Sequence, residues 1–161
     1  VTPVFDVIAG LPVHALVVHA AVVLVPLMAV VTFAVALRPS WRGGPASRWV
    51  ALANLILVGI CYVARLSGKN LQARLSQVAG GTVAAQHGRY GTLLWLFALA
   101  LFLVALLIVM LGSRTGALAW LTIGLAGVVG VAAIGWTVLT GDSGARAVWE
   151  PIIANTKPPG G

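Results

Sequence analysis

The chain has 161 residues, enough for one domain and too few for a second sizeable core. Sixty per cent of it is hydrophobic and 8% charged, against about 25% charged residues in ordinary soluble domains, so it cannot cover a water-facing surface. Its net charge of +7 does not point to nucleic acid, because the basic residues flank apolar runs, where anionic headgroups and the positive-inside rule account for them.

Four runs are long enough for the roughly 20 residues that a membrane crossing needs. The first, 12–37, carries Pro12 in its opening turn, where a missing N–H costs nothing. Pro26 lies in mid-span and predicts a kink. This run is too long for the apolar part of a signal peptide and has no basic segment before it, so it is expected to remain as an anchor. The second run is 47–66 and holds the lone Cys61, which excludes an internal disulfide and reads as a buried thiol. The connection 67–89 follows, with Leu71, Leu75 and Val78 at helical spacing opposite Lys69, Gln72 and Gln77. It predicts either a short amphipathic helix on the membrane surface or a polar loop. The third run is 90–111. The fourth, 116–140, contains Gly124, Gly127, Gly130 and Gly135, and Ala126 with Gly130 has the small-xxx-small spacing of close helix packing. The same glycines would also leave clearance for a flat cofactor. Residues 145–161 form a tail, whose Lys157-Pro-Pro-Gly-Gly end is expected to be an extended, mobile segment or a partner-binding strap.

RPSWRGGPASR and GSR are short connections, so the runs they join are antiparallel neighbours. The expected fold is a single all-α domain over 1–161: a transmembrane up-down four-helix bundle with a longer connection between helices two and three. Both termini and that connection then share one face. Trp41, Trp49 and Trp120 belong at the opposite interface, with Trp95 and Trp136 nearer the termini, which would make two aromatic belts. The first run has Asp6 before it and Arg38, Arg42 and Arg48 after it, which favours termini outside a bacterial cytoplasmic membrane. The larger basic count of the termini face argues the other way.

No acidic or basic residue lies deep in any span. His19 is the one ionisable group clearly within the apolar zone, and such a group is a functional candidate because lipid exposure is costly. Up-down threading gathers His14 and His19 from helix one and Arg65 from the end of helix two onto one face. His87 and Arg89 from the start of helix three join them, with Asp142, Ser143 and Arg146 from the end of helix four. Three histidines with nearby arginines suit a b-type haem, which takes two neutral imidazoles from facing helices and basic partners for its propionates. His14 and His19 are five positions apart, about 140° around a helix and roughly 7.5 Å in depth, so they cannot both aim at one metal. His14 better matches the depth of His87, and His19 stays open as an alternative ligand or an interhelical hydrogen-bonder. Copper or zinc would use the same side chains. Interfacial anchoring alone would also account for His14 and His87.

GDSG, 141–144, echoes the nucleophile segment of trypsin-like proteases, but here it ends an apolar helix without the separate partners those β-barrel enzymes require. Gly141 and Gly144 read instead as helix-terminating residues. No nucleophile–base pair or phosphate loop points to a soluble-enzyme activity.

GLPVHALVVHAAVVLVPL, from Gly10, resembles the opening of the bacterial domain-of-unknown-function 2231 membrane proteins. In those proteins Leu-His-Pro is followed by apolar residues and a second His. His14 and His19 occupy the two histidine positions, and Ala15 replaces the proline. His87 matches a histidine that commonly begins the family's third helix. Gly141-Asp142-Ser143-Gly144 stands where the fourth helix often ends in Gly-His-x-Gly, so Asp142 departs from the pattern. The resemblance implies four helices and a likeness to membrane b-type cytochromes, hence haem b and electron transfer. With three histidines, one six-coordinate haem is compatible and two bis-histidine haems are not.

The expected function is a membrane electron-transfer protein holding one haem near the termini face, with His87 and His14 (or His19) as ligands and Arg65 and Arg89 at the propionates. It would exchange electrons with quinones or a respiratory complex. The competing expectation is a cofactor-free accessory subunit packed against a larger membrane complex.

Overall fold

The computed structural model describes residues 7–75 and 82–157. The chain enters through a two-residue-loop hairpin, β1 (Val7–Ile8) pairing antiparallel with β2 (Leu11–Pro12). Its loop residues, Ala9 and Gly10, both have positive φ, the requirement of the type I′ turn that matches strand twist. Five helices follow: α1 (Val13–Leu37), the single turn α2 (Pro39–Arg42), α3 (Pro45–Leu75), α4 (Thr82–Leu111) and α5 (Ala117–Ala154). Four of these are long and apolar enough to cross a membrane.

The turns close as their residue types dictate. α3 starts on Pro45 after Gly43-Gly44, using proline where its absent N–H is harmless. α4 ends on Gly112, whose φ is positive and whose N–H bonds the Ile108 carbonyl at 2.9 Å, and Gly116, also left-handed, precedes α5. α1 packs on α3 and α5, and α4 packs on the same two. The bundle is therefore a ring of four with α1 and α4 on one diagonal.

What holds the ring together in lipid is close packing, since apolar side chains gain nothing by leaving acyl chains. The outer faces carry Val23, Val30, Met110, Val128 and Val131 exposed, while the interior is built from small residues: Ala21, Ala29, Cys61, Ala98 and Ala133, with Val25, Leu57, Leu94 and Leu101 between them. A second cluster of Val35, Ala36, Val104, Ile108 and Ala126 fills the short-loop end. Buried hydroxyls satisfy themselves on their own helices, Thr122 on Ala119, Thr137 on Ala133 and Thr140 on Trp136, each at 2.8 Å. The one interhelical polar contact in mid-bundle is Asn54 Nδ2 donating to Thr32 Oγ1 at 3.0 Å.

Several expectations need correction. The connection after the second span is no separate surface helix: α3 continues through Lys69, Leu71, Gln72 and Leu75, while Gln77 and Val78 lie outside the described residues. α4 likewise begins before residue 90. Gly141 and Gly144 do not end the fourth helix, which runs on to Ala154 because the 145–154 segment remains helix-compatible and Asp142, Arg146 and Glu150 form i,i+4 ion pairs along it. The first part of the 145–161 tail is thus helical, while 158–161, in the end expected to be extended, lie outside the described residues. Trp41, Trp49 and Trp120 are exposed at the short-loop end as expected, but Trp136 is packed inside, stacked on Phe97 and donating its indole N–H to the Tyr90 carbonyl.

Candidate functional site

The termini-side end of the bundle is where the polar side chains meet. His14, in the first turn of α1, reaches across to α3, with Nδ1 3.0 Å from the Ala64 carbonyl oxygen. A carbonyl only accepts, so Nδ1 carries the proton and Nε2 keeps its lone pair. Ser67 Oγ donates to the same carbonyl at 3.1 Å, and a Cβ at Gly68 would stand 3.1 Å from the His14 ring. The imidazole therefore lies in a notch on α3 that only glycine leaves open.

His87, near the start of α4, makes the corresponding set of contacts with α5. Its Nδ1 is 3.0 Å from the Thr140 carbonyl oxygen, and Ser143 Oγ donates to that carbonyl at 2.9 Å. A Cβ at Gly144 would stand 3.0 Å from the ring. Ser143 Oγ is also 3.4 Å from Nδ1. His87 thus keeps the same tautomer as His14.

Because α1 and α4 are diagonal, the two rings meet across the bundle, with centroids 6.1 Å apart and planes inclined at 67°. That is the separation of two rings in direct edge-to-face contact. Among the described residues no group of three or more His, Cys, Asp or Glu could hold an ion. A two-imidazole donor set completes a coordination sphere when the ligand brings the remaining donors itself, as a haem does with its four ring nitrogens. A tetrahedral zinc site needs more protein ligands than the pair supplies. The donor set therefore fits a haem better than a bare ion.

The other expected site residues lie apart from the pair. His19 is exposed, and its Nδ1 bonds the Ala15 carbonyl one turn back on its own helix. Arg65 turns towards α4, its guanidinium carbon 5.4 Å from the Trp95 ring centroid and 5.8 Å from that of Tyr62, with Nε buried and unpartnered. That aromatic seat stabilises a cation within an apolar zone. Arg89 is exposed on α4, two residues beyond His87. A shallow groove beside it, at the α4–α5 seam, is lined by Gln86, Tyr90, Leu139, Asp142, Ser143, Arg146 and Glu150. Ser143 therefore touches both the groove and His87.

Ser143 was gathered to this end from the sequence, but Ser67-Gly68 and the role of Ser143-Gly144 beside His87 were not recognised, though a signal was available. Ser-Gly occurs twice in the chain, once towards the end of each hairpin's second helix. GDSG marked the right place for the wrong reason, since its Ser-Gly half is the seat of His87. The clearance at Gly68 and Gly144 is taken by the rings of His14 and His87; in the fourth-span stripe Gly124 and Gly135 face open space, while Gly127 and Gly130 lie against Phe33 and Ala29.

Fold and site together define a transmembrane four-helix bundle with one polar end, centred on two carbonyl-tethered histidines. The family follows from a match to residues 10–157: the chain belongs to the family DUF2231, described as a predicted membrane protein. No curated protein and no solved structure matches it.

Proposed function

We propose that the chain is a small membrane electron carrier in which His14 and His87 together hold one b-type haem at the termini end. The observation that carries this reading is the pair itself. Two imidazoles from diagonal helices each have the Nδ1 proton committed to a backbone carbonyl, which leaves Nε2 as the free donor on both. Tethering of this kind fixes ring orientation and raises ligand basicity at metal sites. When bound, haem supplies one-electron redox chemistry. The chain holds the ring orientations through Ala64 and Thr140 and keeps water away with the apolar layer beneath, Ala21, Leu94 and their neighbours. Arg89 and Arg65 are the cations closest in sequence to these elements and would serve the propionates. Electron exchange would be with a quinone or a respiratory membrane complex.

In this reading the protein lies in a bacterial cytoplasmic membrane with termini outside. This orientation rests on the first helix, which usually dominates topology and is followed at the short-loop end by Arg38, Arg42 and Arg48, against the larger cation count of the termini end, Arg65, Lys69, Arg74, Arg89, Arg146 and Lys157. The test is a reduced-minus-oxidised visible spectrum of the chain isolated in mild detergent. Sharp α and Soret bands retained in His19→Ala and lost in His87→Ala are expected. A blank spectrum from protein isolated with its native membrane partners would refute haem binding and leave an accessory subunit as the better account.

A further inference from the structure

The two halves of the bundle repeat one another. Along α1 and α4, His14, Ala21, Val25, Thr32 and Val35 occur at the same spacings as His87, Leu94, Ala98, Ala105 and Ile108, and in each pair both members have the same burial class. Along α3 and α5 the same holds for Asn54, Leu57, Cys61, Ala64, Ser67 and Gly68 against Gly130, Ala133, Thr137, Thr140, Ser143 and Gly144. The inter-helix contacts obey the same relation: α1 meets α3 as α4 meets α5. α1 and α4 both start at the termini end, so the halves are parallel repeats related by a half-turn about the membrane normal. Chance identity of side chains is not what defines this repeat. It is defined by these shared buried positions, although Ala29, Ala36 and Leu101 are buried opposite half-buried Phe102, Val109 and Met28, and by a unit of imidazole, carbonyl, serine and glycine in each half.

A half-turn axis passing between α1 and α4 makes His14 and His87 symmetry mates. We infer that the pair is one binding site on the axis of a duplicated hairpin, taking a single metal centre through both imidazoles equally, with Ser67 and Ser143 as its matched positioning residues. This rests on the reading that the pair binds a metal. Ser143 Oγ donates to the Thr140 carbonyl that accepts the His87 proton, at 2.9 Å. Ser67 Oγ donates chiefly to the Val63 carbonyl at 2.8 Å and also lies 3.1 Å from the Ala64 carbonyl that accepts the His14 proton. In each half a serine hydroxyl thus reaches the histidine's acceptor. It therefore draws on the lone pairs that would otherwise serve the imidazole alone and tempers the basicity of the ring. Removing the hydroxyl leaves the carbonyl to the histidine and strengthens that bond. The effect has the same direction in both halves and is smaller at Ser67, whose shorter bond runs to the Val63 carbonyl, than at Ser143, which also lies 3.4 Å from its imidazole.

The test uses the ligand-free chain in detergent micelles, labelled with nitrogen-15 at histidine, so its outcome does not depend on haem. His14 and His87 are expected as Nδ1–H tautomers with slowly exchanging, downfield ring protons, and His19, exposed at the helix surface, without that protection. Ser67→Ala moves the His14 ring proton further downfield, Ser143→Ala moves that of His87 in the same direction, and Ser→Cys at either position, which keeps the volume, gives the smaller shift of a weak donor. A shift in one half only, no shift in either, or Nε2–H tautomers would overturn the inference. If the matched shifts appear and Cu2+ broadens the His14 and His87 ring signals together while haemin stays spectrally silent, the haem reading fails and the paired site stands; if neither Cu2+ nor haemin perturbs both rings together, the paired site is overturned.

Discussion

Gly144→Ala separates packing at the site from ordinary helix chemistry. Replacing a mid-helix glycine by alanine normally stabilises a helix by about 0.5–1 kcal/mol. At Gly144 the new Cβ would sit 3.0 Å from Cε1 and Nδ1 of His87, where ordinary contact begins near 3.4 Å. The ring must yield by a few tenths of an ångström, and the direction open to it is away from α5, which lengthens the 3.0 Å bond to the Thr140 carbonyl. Losing that bond costs about 1 kcal/mol, so gain and loss roughly cancel. Gly141, three residues earlier on the same helix, has nothing within 4 Å of its notional Cβ, so Gly141→Ala keeps the whole gain. Reversible denaturant unfolding in mixed micelles should rank Gly141→Ala above wild type by about 0.5–1 kcal/mol, with Gly144→Ala near wild type. In Gly144→Ala the His87 ring proton also loses its exchange protection. Equal stabilisation of both variants, with His87 undisturbed, would refute the claim that Gly144 is the seat of the imidazole.

Other outcomes follow from the same contacts. Thr32→Val removes the acceptor of the Asn54 amide in the fully buried middle of the bundle, and a loss of roughly 0.6–1.7 kcal/mol in micelle unfolding is expected, the range found for interhelical polar contacts in membranes; no loss would show that Asn54 finds another partner. His14→Ala should weaken haemin binding at least as much as the 10–100-fold typical of a lost tethering partner, whereas His19→Ala should leave it unchanged, and equal losses would place His19 in the site. In a Cys61→Ala background, Ser113→Cys in the short loop should react with a membrane-impermeant maleimide only after the membrane is opened, as an orientation set by the first helix and the arginines that follow it predicts. Labelling of intact cells would reverse the orientation.

The bundle was legible because membrane spans declare themselves by length and apolarity, and short basic loops such as GSR dictate antiparallel neighbours. Helix ends were less legible. Past residue 66 the chain turns polar, which looks like a loop, yet Ser67, Gly68 and Lys69 remain helical because α3 extends beyond the apolar layer, where water takes the place of lipid around its outer face. GDSG misled for a similar reason: glycines that usually stop a helix are tolerated when one of them makes room for a neighbouring ring. His14 and His87 were recognisable as candidates from their depth, but their partners were not, since a backbone carbonyl leaves no mark in a sequence. Arg65 could be assigned to the right end of the bundle, while its turn towards Tyr62 and Trp95 depends on the α3–α4 seam and has no local signature. The repeat escaped notice because its halves share spacing and burial with few identical residues; the two Ser-Gly pairs and the two histidines are its visible remnants.

The most direct measurement is low-temperature electron paramagnetic resonance of the oxidised, haem-loaded chain. The account predicts a single low-spin ferric species of the bis-imidazole type, one spin per chain, abolished alike by His14→Ala and by His87→Ala. A high-spin signal, or a low-spin signal that survives either substitution, would contradict a haem shared between the two histidines.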